Sequence, residues 1–129
     1  MSIAFLIARI VLGAYWLQVA YNHIFKSAGL IGYAQMKGVK QAKVAVIGSG
    51  ILALLGGLSL LLGVRPHYGI VFLVLFLLGV SVKMHAHWKE TDPMQKMSES
   101  INFRKNIALA AAILTLVMVA QPWPFSLNW

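Results

Sequence analysis

The chain has 129 residues, room for one domain, and carries a formal charge of +8 with no cysteine. An apolar share of 60% against 11% charged residues lies far outside the balance of a soluble domain of this size. The missing thiols exclude disulfides, thiolate redox chemistry and iron–sulfur or zinc–thiolate sites in this chain. Its bases gather near helix ends rather than on a soluble face, which points to lipid headgroups and not to nucleic acid.

Four apolar stretches, residues 3–23, 44–63, 68–87 and 104–121, are each close to the roughly 20 residues a helix needs to cross a bilayer. The runs LLGGLSLLLG and VFLVLFLLG lack period-two alternation, which argues against barrel strands. The pattern predicts an all-α fold: a four-helix transmembrane bundle, up-down in topology, forming a single domain over 1–129. Short interfacial helices are expected in the first and third connections. The first stretch has no basic leader and carries Arg9, so it reads as a retained helix rather than a signal peptide.

In the first helix Arg9, Gly13, Trp16, Ala20 and His23 alternate at spacings of four and three, which sets them on one stripe facing the bundle. An arginine at the centre of a span costs about 2.5 to 3.5 kcal/mol on insertion scales and marks a candidate functional group. Arg9 stands near the N-terminus, so it either pairs inside the bundle or snorkels to the headgroups. The connection that follows carries Lys26, Lys37, Lys40 and Lys43 and no acid. Residues 30–37 within it set Leu30, Ile31, Tyr33 and Met36 against polar neighbours before Gly38, as an interfacial helix would.

The second helix is glycine-rich. Ser49, Ala53 and Gly57 repeat every four residues, and with Gly56 they form a small-residue face for close helix packing. The short turn Val64, Arg65, Pro66, His67 makes the second and third helices antiparallel neighbours. Residues 82–106 then hold all three carboxylates, Glu90, Asp92 and Glu99, in what reads as one surface stretch. Asp92 followed by Pro93 is a helix start. The segment after it, with Met94, Met97 and Ile101, is expected to lie on the membrane before the fourth helix enters. The tail QPWPFSLNW should end at the far interface, where tryptophans settle.

Sidedness follows from the bases. Lys26, Lys37, Lys40, Lys43, Lys83, Lys89, Lys96, Arg104 and Lys105 fall on one side, Arg9 and Arg65 on the other. This places both long connections in the cytoplasm and the termini outward, in a cell (inner) membrane.

The chain resembles the DoxX family of small four-helix membrane proteins. The features that carry the likeness are the ARIVLGAYWLQVAYNHIF opening, the surface segment ending MKGVK, the ALLGGLSLLLGVRP second helix and the HAHWKETDPMQ…FRKN block, over nearly the whole length. The resemblance implies the four-helix fold and, for some members, a link to membrane oxidoreductases such as thiosulfate:quinone oxidoreductase; others help receptors assemble. Many relatives carry a glutamate in the second helix where this chain has Ala53, so no role resting on that carboxylate carries over.

His23, Lys83, His85, His87, Asn102 and Asn106 should all lie at the cytoplasmic level. With Trp88 and the phenylalanines, and with Arg9 as a further candidate, they could hold a quinone headgroup, which needs polar partners beside an apolar slot. Ordinary interfacial polar groups are the competing reading. The absence of a haem-attachment motif and of a His pair deep in the spans argues against haem. His85 and His87 point about 200° apart on a helix and cannot chelate one metal ion. Ser49, Ser59 and Ser81 have no evident His–Asp partner for hydrolysis, and acids confined to a surface stretch argue against a proton antiporter.

The sequence thus points to an accessory membrane subunit, without catalysis of its own, that docks a membrane or cytoplasmic redox protein or a quinone-like lipid. The alternative is a lipid or small-molecule binder or an assembly factor, and a homo-oligomer is compatible with either.

Overall fold

The computed structural model describes residues 2–127, which contain helices and no strand. The helices are α1 (Ser2–Phe25), α2 (Ala28–Met36), α3 (Ala42–Leu62), α4 (Pro66–Met84) and α5 (Pro93–Leu114), with 3-10 turns at His87–Lys89 and Thr115–Met118. Four segments, Ser2–Phe25, Ala42–Leu62, Pro66–Lys89 and Pro93–Met118, are long and apolar enough to cross a membrane.

Neighbours in sequence are neighbours in space: α1 packs on α3, α3 on α4 and α4 on α5. Small residues set the spacing, as they must where lipid removes the hydrophobic drive between helices. A Cβ at Gly13 would sit 2.6 Å from the Leu61 Cβ, one at Gly57 2.9 Å from the Trp16 Cβ, and one at Gly50 2.7 Å from the His23 Cβ. As α1 ascends through 13, 16 and 23 its partners on α3 descend through 61, 57 and 50, so the two run antiparallel. Gly56 meets Leu73 and Gly69 meets Ser59 in the same descending order, making α3 and α4 a hairpin. Large apolar side chains such as Ile7, Val11, Ile51, Leu55, Val71 and Leu75 remain exposed on the outer faces. That much apolar surface belongs against lipid.

The buried stripe of α1 is Arg9, Gly13, Trp16 and Ala20, with His23 half-buried at its end. Arg9 does not snorkel. It is 2% exposed; its Nε donates to the Leu60 carbonyl at 3.1 Å, Nη2 to Leu61 at 3.0 Å and Nη1 to Pro124 at 2.5 Å. The reason lies in α3, whose last carbonyls have no partner within the helix. Ser59 O takes the backbone N–H of Val64, Arg9 takes Leu60 and Leu61, and Leu127 N donates to Leu62 O at 2.9 Å. A cation at a helix C-terminus is also favoured by the helix dipole.

The tail reaches the end of the bundle where α1 begins and α3 finishes. There Trp123 is 2% exposed and packs edge-on against Phe5 with centroids 5.1 Å apart, because the chain folds back to close the end of α3. Trp129, the other expected interfacial tryptophan, lies outside the described residues.

The first connection holds the short helix expected there, as α2. In the third only the 3-10 turn His87–Lys89 stands apart, and the segment with Met94, Met97 and Ile101 belongs to α5. Asp92 caps α5 by accepting from Gln95 N at 3.0 Å, Pro93 opens it, and the helix runs unbroken to Leu114 because no Gly or Pro interrupts it after Pro93. Residues 93–106 of the polar stretch are therefore the first half of the last span.

Candidate functional site

At the end of the bundle where α1 and α4 finish, α1, α2, α3 and α4, with Asn106 of α5, line a half-open cavity of about 650 Å³. Its walls include Val19, Leu30, Leu52, Phe76 and Val80, and its polar lining comes from His23, Tyr33, Lys83, His85 and Asn106, with Ser49 on the α3 side. The antiparallel order produces this grouping: His23 is in the last turn of α1, Lys83 in the last turn of α4, and His85 is the C-cap of α4. Gly50 lets α1 come close enough for the His23 ring to pack edge-on against Phe76, centroids 5.4 Å apart. His23 Nδ1 lies 2.8 Å from the Val19 carbonyl.

Behind the cavity wall sits a charged network centred on Glu99. Its side chain is 5% exposed, and both oxygens are occupied. Oε1 accepts from the Tyr33 hydroxyl and from Lys37 Nζ at 3.1 Å; Oε2 lies 2.5 Å from His85 Nδ1. Lys37 Nζ also lies 2.6 Å from Glu90 Oε1, so two carboxylates share one ammonium. The cluster draws on α2, the end of α4, the 3-10 turn and α5. Burial first, and then the neighbouring Glu99, push the Tyr33 hydroxyl above its ordinary range. Burial works against the charge on Lys37, yet its hydrogen bonds to Glu90 and Glu99 outweigh that and raise its pKa.

This arrangement corrects the reading of all three acids as surface groups. Asp92 is an exposed helix cap and Glu90 is half-buried, but Glu99 is buried in α5. The signal for it was present: Glu99, Asn102, Asn106, Ala110 and Ile113 follow helical spacing, and Ala110 and Ile113 are buried on the same face.

Of the residues singled out from sequence, His23, Lys83, His85 and Asn106 come together at the cavity. Arg9 lies at the opposite end of α1, closing α3. His87 and Trp88 stack with Phe103 beside α5, centroids 5.2 to 5.6 Å apart, and His87 borders a separate groove with Lys96 and Arg104. Asn102 is half-buried on α5 outside the cavity lining. Gly56 and Gly57 are covered within the chain by α4 and α1, and Ala53 is fully buried in the core. Ser49 donates to Val46 O at 2.9 Å.

Four helices long and apolar enough to cross a bilayer, with a cavity that is polar at one end, define a small helical multi-pass membrane protein. The DoxX family model matches residues 4–86, and the chain belongs to the DoxX family. The match is shorter than the resemblance read from the sequence; it includes His23, Tyr33, Lys37, Lys83 and His85 and stops before Glu90, Glu99 and Asn106. No curated protein and no solved structure matches the chain.

Proposed function

We propose that the protein is an accessory component of a membrane redox system, without catalytic activity of its own, that holds a quinone-like or lipid molecule in the α1–α4 cavity. The observation that carries this reading is the cavity's construction: about 650 Å³, apolar walls and a polar end. That volume lies within the range of about 300–1,000 Å³ typical of small-molecule sites. His23 Nε2, the Lys83 ammonium and the Asn106 amide have no protein partner among the described residues and remain for a ligand.

The sidedness read from the bases also enters the proposal. With Arg9 inside the bundle, Arg65 is the one base of the pair left at the α3–α4 turn, which favours placing the cavity's polar end and both long connections on the cytoplasmic side of an inner membrane.

The test is the purified full chain, its lipid extract and its absorption spectrum. Co-purified quinone that is lost in a His23→Leu, His85→Leu double variant supports the reading. A Soret band would assign the cavity to haem instead. A lipid extract of bulk composition, with a membrane protein captured as partner, would favour the second reading of an assembly factor, to which the exposed and basic first half of α5 lends support.

A further inference from the structure

We infer that the cavity selects an apolar molecule with a hydroxylated head, a phenol or hydroquinone, over its carbonyl-bearing counterpart. This rests on the reading above that the cavity holds a ligand. It follows from where the protons of the polar end are already committed.

His23 Nδ1 is 2.8 Å from the Val19 carbonyl, which has no hydrogen to offer. The ring nitrogen must donate, and in the neutral imidazole Nε2 then carries only a lone pair. His85 is fixed in the same sense from a different helix: its Nδ1 faces Glu99 Oε2, an oxygen of a carboxylate that also takes Tyr33 and Lys37 as donors. Whenever its imidazole carries a single hydrogen, His85 therefore offers Nε2 as an acceptor. Tyr33 spends its hydroxyl hydrogen on the same carboxylate, within the network behind the wall, and so offers the cavity no donor.

His23 on α1 and His85 at the end of α4 thus accept, each because its hydrogen is held elsewhere, and Tyr33 adds no competing donor. The donors on the lining are weaker in direction: Lys83 is exposed at the rim, and the Asn106 amide can turn either its oxygen or its nitrogen inward. A carbonyl head would set lone pair against lone pair and leave a desolvated acceptor unpaired, whereas a hydroxyl head satisfies it. Glu99 is a positioning residue in this scheme, acting through His85 and Tyr33.

The experiment uses the full chain in detergent at pH 8, where an imidazole is ordinarily neutral. Calorimetric titration compares a decyl-hydroquinone kept reduced, the matching decyl-quinone and the hydroquinone dimethyl ether. The hydroquinone should bind about tenfold tighter than either, as expected for one or two net hydrogen bonds. The preference should shrink in His23→Leu and in His85→Leu, each first checked for native helicity. Since the comparison among the three compounds is made on the unaltered protein, a misfolded variant does not spoil it. Equal or tighter binding of the quinone or the ether overturns the inference while leaving the ligand-holding role intact. Absence of binding by all three defeats that role and the inference with it.

Discussion

The Tyr33 hydroxyl donates to the Glu99 carboxylate across 66 positions of sequence, and this bond fastens a short surface helix to the last span. Lys37 and His85 converge on the same carboxylate. Glu99→Ala should therefore cost about 3–5 kcal/mol, the usual result of stranding one side of a buried charged cluster. Glu99→Gln, which keeps the shape and one acceptor, should lose less. Thermal melting in detergent measures both, and an Ala variant that melts with the parent protein would show the cluster to be energetically idle.

The raised pKa values of Tyr33 and Lys37 give this fastening a sign in pH. A group whose pKa is raised by folding contributes fully below its unfolded value and loses that contribution as pH climbs through the folded one. Stability should thus hold flat through neutral pH and fall above about 10, where free tyrosine and lysine titrate. Melting from pH 8 to 11 should show a steeper alkaline decline for the parent chain than for Tyr33→Phe with Lys37→Gln; parallel curves would refute the assignment.

Arg9→Leu should destabilise the fold by about 2–4 kcal/mol, since it leaves the Leu60, Leu61 and Pro124 carbonyls without their donor. Arg9→Lys should recover only part of this, because an ammonium cannot reproduce the guanidinium fork. The Trp123 ring, 5.6 Å from the Arg9 guanidinium, reports the change through its fluorescence. Unaltered melting and emission in Arg9→Leu would count against the closing role.

Two glycines make a matched pair of tests. Gly13→Ala places a methyl 2.6 Å from the Leu61 Cβ and should cost about 1–3 kcal/mol through overpacking. Gly79→Ala meets nothing within 4 Å and should be neutral or slightly stabilising through helix propensity. Equal melting of the two variants would mean α1 and α3 are not in close contact.

The four spans were legible because each announces itself within its own apolar run, and the stripe Arg9, Gly13, Trp16, Ala20 could be read because helical period alone decides which residues share a face. The destination of Arg9 could not, since it depends on carbonyls more than 50 residues away that no local pattern specifies. Glu99 was missed for a related reason. Among polar neighbours it looks like any solvated acid, and only the buried phase of Ala110 and Ile113 farther along α5 reveals which way it turns. Tyr33 and Lys37 were read as parts of a surface helix, which they are, without sign of the carboxylates they meet.

The mixed character of α5 bears on the surrounding bilayer. Its greasy part, residues 107–118, rises about 20 Å, at 1.5 Å per residue to Leu114 and about 2 Å in the 3-10 turn, against roughly 30 Å of hydrocarbon. A run this short is met in a bilayer by local thinning, by snorkelling of the flanking Arg104 and Lys105 or by association with another chain. Asn106 stands where that apolar run begins and also lines the cavity, so the cavity's polar end lies level with the point at which α5 turns greasy.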